Sequence, residues 1–140
     1  MKNLKINERR INDVLILDIT GKLRLGEGSA EFHTAIRLLA EGGEKKIIVN
    51  LADVTYIDSS GLGELVAGYT ALKKNDGELK LLYLTTRVRE LMVMTKLLTV
   101  FDAYENESEA VKSFESSPSE AKTSSSSSAT EETLSTSTTK

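Results

Sequence analysis

Two adjacent serines, Ser59 and Ser60, are the residues whose type and position best suit a reversible modification. The segment Asn50–Gly63 begins as the tail of an apolar strand, is predicted to pass through a short turn, and reaches these serines at the start of a helix. A hydroxyl at such a junction is exposed and lies at the positive end of the helix dipole, where a phosphate is tolerated. The residues alone leave two hypotheses open: a phosphorylation switch, or a cluster at Asp58–Gly61 that only caps the helix.

Catalysis by the same serines is not favoured. A nucleophile elbow has the pattern Gly-x-Ser-x-Gly, whereas this chain has Ile57-Asp58-Ser59-Ser60-Gly61. The single histidine, His33, lies on a different predicted helix, and there is no cysteine to act as a thiolate or metal ligand. Gly61 and Gly63 could cradle a phosphate, but no Gly-x-x-x-x-Gly-Lys-Ser/Thr pattern accompanies them. We therefore predict no enzymatic activity, no cofactor and no metal.

The predicted helix after Asp58 has two unequal faces. The apolar residues of the face expected to lie on a sheet are Leu62, Leu65, Val66, Tyr69 and Leu72. The residues of the opposite strip are Ser60, Gly63, Glu64, Ala67, Ala71 and Lys74. Because glycine inside a helix costs about 1 kcal/mol relative to alanine, so flat a strip indicates that another surface approaches it. The alternative is that Gly63 or Gly68 relieves crowding within the domain.

The remaining periodicity predicts an α/β domain with the order β-β-α-β-α-β-α-β-α, in which an initial hairpin precedes mostly parallel strands. The strands are predicted at residues 6–11, 14–20, 46–51, 79–84 and 98–101. Gly21 is expected to end the second strand, and a loop then leads to Ser29 as the N-cap of the first helix, which Gly42 stops. Asn106 is expected to open the last of about four helices with a capping box.

Composition limits the classes of partner. The chain has 140 residues, 39% hydrophobic and 28% charged, with a net charge of -3, as is usual for a soluble domain. No cluster of lysine and arginine favours nucleic acid or an anionic membrane. No apolar run has the length of a signal peptide core or a membrane span. We therefore expect a cytoplasmic protein without membrane insertion.

The composition changes abruptly after Phe114. Residues 115–140 include the run Thr123–Ser128 and almost no large apolar side chains, so they are predicted to form a disordered tail. The domain is accordingly predicted to span residues 1–114. A solvating tail, a multiply phosphorylated segment and a spacer to a partner all remain open as roles for this tail.

The Asp-Ser-Ser-Gly-Leu-Gly core of Asn50–Gly63 closely resembles the phosphorylation loop of STAS domains, specifically that of single-domain bacterial anti-sigma factor antagonists. The resemblance extends from residue 1 to about residue 114. It includes a hairpin ending in Thr20-Gly21, the strand 46–51, and the strand 79–84 followed by Val88-Arg89-Glu90-Leu91. In many members an acidic residue lies shortly after the Thr-Gly pair, whereas Lys22 and Arg24 occupy that loop here.

The resemblance implies a protein–protein switch. In the family, the unphosphorylated antagonist binds an anti-sigma factor that is also a serine kinase, and this binding releases a sigma factor. The kinase phosphorylates the serine directly after the Asp, which breaks the complex, and a PP2C-type phosphatase reverses the modification. Carried onto this chain, the resemblance implies Ser59 as the phosphoacceptor. The residues implied to bind the partner are Asp58, Ser60, Gly61, Gly63, Glu64 and Ala67.

A second role of the same fold remains open. A STAS domain can act as an unphosphorylated subunit of a lipid-transport or transporter complex, in which it only binds a partner. Neighbouring genes for an anti-sigma kinase and a phosphatase would favour the first role, and genes for an ABC transporter the second.

Overall fold

The computed structural model describes residues 4–115, which form five strands and four helices in the predicted order. The strands are β1 (Leu4–Ile11), β2 (Val14–Leu23), β3 (Lys46–Ile57), β4 (Glu78–Leu82) and β5 (Ala103–Tyr104). The helices are α1 (Glu27–Glu41), α2 (Ser59–Lys74), α3 (Thr86–Met94) and α4 (Glu107–Glu115). Within the described part of the chain, residues 4–110 form one compact unit and residues 111–115 are assigned to a second. Residues 116–140 of the predicted tail lie outside the described residues, so the boundary near residue 114 stays a prediction.

The sheet has the order β1-β2-β3-β4-β5, with β1 antiparallel to β2 and every other neighbouring pair parallel. This arrangement confirms the predicted α/β class with its initial hairpin. The hairpin turns at Asn12, whose φ of 56° is a left-handed conformation that asparagine tolerates. Because β2 and β3 are parallel, α1 and α2 both begin at the same edge of the sheet.

The core lies between the sheet and the inner faces of α1 and α2. Its helical members include Phe32, Ile36, Leu62, Leu65 and Leu72, and its strand members include Leu15, Leu17, Ile47, Val49, Leu79 and Leu81. The two helices are parallel neighbours: His33 contacts Glu64, and one turn further along Ile36 lies against Gly68. The apolar periodicity of α2 therefore predicted its buried face correctly.

The junction between β2 and α1 differs from the prediction. β2 continues past Gly21 to Leu23, and α1 begins at Glu27, so Ser29 is not an N-cap but a buried residue of the first helical turn. The reason is Gly26, which has a φ of 105° that glycine adopts at little cost. The chain therefore turns into the helix before it reaches Ser29.

The last strand is also misplaced in the prediction. Residues 98–101 form turns, and β5 is the two-residue strand Ala103–Tyr104. The chain leaves α3 through Lys96 at a φ of 64°, and the ring of Phe101 is buried, with its centroid 5.3 Å from that of Tyr69. Phe101 and the half-buried Leu98 thus pack against the core from a loop, whereas Val100 is exposed. By contrast, the Asn106 half of the capping box predicted for α4 is confirmed, because the Asn106 side chain accepts a 2.9 Å hydrogen bond from the Glu109 amide.

Candidate functional site

The strand that leads to the two serines is irregular. β3 continues to Ile57, so the short turn predicted after Leu51 is wrong. Its pairing with β2 shifts twice, and each shift adds one residue to β3, first after Asn50 and again after Val54. Each such β-bulge exposes two consecutive residues. The buried positions of this segment are consequently Leu51, Val54 and Ile57, which repeat every three residues instead of every two.

Polar side chains satisfy the backbone around both bulges. The Asn50 side chain accepts a 3.0 Å hydrogen bond from the Ala52 amide and donates one of 2.8 Å to Asp18. The Thr55 hydroxyl donates to the Gly21 carbonyl at 3.2 Å. Side-chain hydrogen bonds of Asn50 and Thr55 therefore hold the bulged strand in place, and that strand fixes where α2 begins.

Asp58 joins the start of α2 to the loop before α1. Its Oδ1 accepts from the Gly61 amide at 2.9 Å, and its Oδ2 accepts from the Leu25 amide at 3.0 Å. Partial burial acts to raise the pKa of Asp58, but hydrogen bonds from the amides of Leu25, Gly61 and Ser60 outweigh it and hold the pKa below its ordinary value. Asp58 is therefore a charged helix cap with both oxygens engaged, as one of the two hypotheses predicted.

Ser59 is the first residue of α2, and it is exposed. Its hydroxyl makes no hydrogen bond with the side chains or backbone of residues 4–115. Ser60 follows in the same turn and is half-buried. An added phosphate on Ser59 would thus meet solvent and the positive end of α2, where negative charge is stabilised by about 0.3–1 kcal/mol.

The glycines of α2 differ in their surroundings. Gly61 is buried, and a Cβ built there would lie 2.1 Å from the Leu23 carbonyl oxygen. Gly68 is buried against α1, with a Cβ 3.0 Å from Ile36 Cγ2, so it relieves crowding within the domain. Gly63 is exposed, and a Cβ there would have no neighbour within 4 Å. Crowding therefore explains Gly61 and Gly68 but not Gly63.

The strip on α2 is accessible along most of its length. Gly63 and Ala67 are exposed, and Glu64 is half-buried because it pairs with His33 of α1, Nδ1 to Oε1, at 2.8 Å. Beyond this pair, a shallow cleft of about 410 Å³ lies between the two helices and includes Ala67 and Lys74 in its wall. The predicted residues on the accessible side of α2 are thus Ser59, Ser60, Gly63, Glu64 and Ala67. Gly61 is buried beneath them.

Neither a metal centre nor a membrane span is found in the described region. Within residues 4–115, no three histidine or acidic side chains are grouped closely enough to hold a metal ion. The helices of the same region are too short or too polar to cross a bilayer.

A five-stranded mixed sheet, with a capped helix carrying two serines at its carboxyl edge, defines the class of this domain. Residues 5–110 match the family model of the STAS domain, and the chain belongs to that family. A Staphylococcus aureus relative named anti-sigma-B factor antagonist is 37% identical over 67 residues, which cover 48% of this chain and 62% of the relative. The match thus spans less than two thirds of that relative's length.

Two further comparisons agree with this assignment. The Bacillus subtilis protein of the same name is 28% identical over 100 residues, covering 71% of this chain and 90% of the relative. The crystal structure of an anti-sigma factor antagonist from Mycobacterium paratuberculosis superposes with a TM-score of 0.70 at 19% identity, over 79% of this chain and 92% of that one. At 19% identity, the likeness to the Mycobacterium paratuberculosis structure shows a shared fold.

Sequence reasoning missed two contributors to the site. The role of Asn50 in the first bulge could have been found from the three-residue spacing of Leu51, Val54 and Ile57. The bond from the Leu25 amide to Asp58 has no local signal, because it joins residues 33 positions apart through a backbone group.

Proposed function

We propose that this chain is an anti-sigma factor antagonist controlled by phosphorylation of Ser59. Its unphosphorylated form binds an anti-sigma factor that is also a serine kinase, so that a sigma factor is released. The modified form does not bind, and a PP2C-type phosphatase restores the free hydroxyl. A cytoplasmic location is part of the proposal.

The observation that carries the proposal is the position of Ser59. It is the first residue of a helix, its hydroxyl is exposed and unbonded within the described region, and the preceding Asp58 is fully occupied as a cap. A kinase can therefore reach the hydroxyl without disturbing the fold. The STAS family membership and the names of the two bacterial relatives support the same function.

The chemistry of the switch belongs to the partner enzymes. The Ser59 oxygen attacks the terminal phosphorus of ATP and loses its proton, and the bond to ADP breaks. The product adds about -1.5 to -2 charges and three acceptor oxygens. Because hydrogen bonds from backbone amides hold the pKa of Asp58 below its ordinary value and make it a weak base, we assign the general base to the kinase.

The docking face in this proposal is the exposed strip of α2. Gly63 and Ala67 leave it flat, which lets a partner backbone or helix approach closely, while Ser60 and Glu64 offer polar groups at its edge. The buried Gly61 has a positioning role: it lets the first turn of α2 pack on the end of β2. A phosphate at the head of the strip places a dianion in an interface built for a neutral hydroxyl, and so weakens it.

The proposal is tested by combining the purified chain with the candidate anti-sigma kinases of its host and ATP. Peptide mass spectrometry should find one phosphate, on Ser59. Ser59→Ala should abolish incorporation and keep the kinase bound in the presence of ATP, whereas Ser59→Asp should weaken binding at least tenfold while remaining folded. Ser60→Ala is the matched control, because it removes a neighbouring hydroxyl and should leave Ser59 modified.

Three results would count against this function. Unmodified Ser59 in protein purified from the host under all growth and stress conditions would favour the unphosphorylated subunit of a transport complex. Phosphate confined to residues 116–140 would place regulation in the tail. Unfolding of Ser59→Asp would show that the fold does not tolerate charge at the start of α2.

A further inference from the structure

The backbone between β2 and α1 lies directly against the start of α2. The Asp58 amide donates to the Leu23 carbonyl at 3.4 Å, and the Leu25 amide donates to the Asp58 carboxylate at 3.0 Å. Gly61 has no room for a methyl group beside the same Leu23 carbonyl. Arg24, which lies between these two contacts, is therefore held beside the turn that carries Ser59.

Lys22 and Arg24 are the basic residues of this junction. Lys22 is exposed and Arg24 is half-buried, and neither has an acidic partner among the side chains that the structure describes. Other basic residues of the domain are engaged with carboxylates: Arg9, Arg10, Lys46 and Arg89. What distinguishes the Lys22/Arg24 pair from other uncommitted cations is that its chain neighbours Leu23 and Leu25 both contact Asp58, the residue directly before the exposed Ser59.

We propose that Lys22 and Arg24 form a clamp for the phosphate on Ser59. This inference rests on the proposed function, since it concerns the modified state of the same residue. Arginine and lysine form charge-assisted hydrogen bonds with a phosphate dianion, and such bonds order a flexible segment. The clamp also offsets the repulsion between the phosphate and the charged Asp58 carboxylate next to it.

The clamp gives the phosphate a defined place. A phosphoserine without cationic partners would rotate in solvent, whereas pairing with the Lys22/Arg24 loop holds its charge at the edge where α1 and α2 begin. Lys22 and Arg24 are without an acidic partner in the unphosphorylated protein, and the phosphate on Ser59 neutralises their charges in the phosphorylated protein. The modification therefore changes the electrostatic character of the loop as well as that of α2.

The test uses the full chain with phosphoserine incorporated at position 59 during translation, and follows the phosphate by ³¹P NMR titration. The second pKa of phosphoserine is near 6, and nearby cations lower it because they favour the dianion. The double variant Lys22→Gln/Arg24→Gln should raise this pKa by about 0.5 relative to the native chain. Each single variant should give a phosphate pKa between those of the native chain and the double variant. Salt at 1 M should remove most of the difference.

The matched control is Lys73→Gln/Lys74→Gln, which removes two lysines from the far end of the same helix and should leave the phosphate pKa unchanged. Equal pKa values in the native chain and the Lys22/Arg24 double variant would overturn the clamp, as would an equal shift in the control. Circular dichroism confirms that each variant is folded. The titration needs no kinase, so failure of the clamp and failure of the proposed partner switch give separate results.

Discussion

Gly61 and Gly63 lie two residues apart in one helix turn, yet they meet opposite surroundings. A methyl group at Gly61 would overlap the Leu23 carbonyl, whereas a methyl group at Gly63 would point into open solvent. The first glycine is explained by packing of α2 on β2. The second has no explanation inside the domain, although it costs helix stability.

The comparison teaches that a glycine shared by a family motif can serve either the fold or the partner, and that only its surroundings distinguish the two. In this chain buried and exposed glycines alternate along α2, because Gly68 is again buried against α1. Substitutions at the two glycines and at Asp58 should separate a structural contribution from a surface one.

Gly61→Ala should destabilise the domain most. The added Cβ would overlap a backbone carbonyl that also accepts a hydrogen bond from the Asp58 amide, so a flexible side chain cannot simply move away. Overpacking of this kind costs about 1–3 kcal/mol or more. Urea denaturation should show the loss in the free energy of unfolding, and a value equal to that of Gly63→Ala would contradict the close approach.

Asp58→Ala should lower the free energy of unfolding by about 1–2 kcal/mol, because it removes the helix cap and leaves the Leu25 amide without its acceptor. Asp58→Asn is the matched variant: it can still cap α2 through its oxygen, but its amide nitrogen cannot accept from Leu25. We expect a smaller loss for Asn than for Ala. Equal losses would mean that the cap on the Gly61 amide contributes nothing and that the bond to Leu25 accounts for the whole effect.

The contribution of Asp58 should also depend on pH. Its folded pKa lies below the ordinary value of 3.8, so its charge stabilises the fold above that value, and this stability is lost as pH falls through the folded pKa. The difference in unfolding free energy between the native chain and Asp58→Asn should therefore shrink below pH 4 and stay constant between pH 5 and 7.

Gly63→Ala should have the smallest effect on the fold, and in the opposite direction. The Cβ enters open space, and alanine favours helix over glycine by about 0.5–1 kcal/mol, so the melting temperature should rise. If the strip is the docking face, the same variant should bind the anti-sigma kinase more weakly. Tighter or unchanged binding of Gly63→Ala to the kinase would show that Gly63 is not part of the interface.

The sequence predicted the fold well where hydrophobic periodicity and a single local interaction decide the structure. The element order, the inner face of α2 and the Asn106 cap are of this kind. It failed where backbone geometry decides: Gly26 moved the start of α1 ahead of Ser29, and two bulges extended β3 through a segment that reads as a turn. Burial of every third residue, as at Leu51, Val54 and Ile57, matches neither the two-residue period of a regular strand nor the 3.6-residue period of a helix.

The site was predictable to a similar extent. Asp58 as a cap follows from its type and position, because aspartate before a helix commonly accepts from its first turn. Its second bond, to the Leu25 amide, depends on how two loops far apart in the sequence meet. The same contact brings the backbone of the Lys22/Arg24 loop to the residue before Ser59.

The two bulges of β3 keep its side chains in phase with β2, although β3 has two more residues than β2 between the pairs Asp18–Asn50 and Leu23–Ile57. Val54, between the bulges, and Ile57, after them, are both buried in the core. Each bulge thus absorbs its own extra residue. Deletion of one residue at either bulge should close that bulge and leave Ile57 in the core, so tolerated changes of length between Asn50 and Asp58 need not come in pairs.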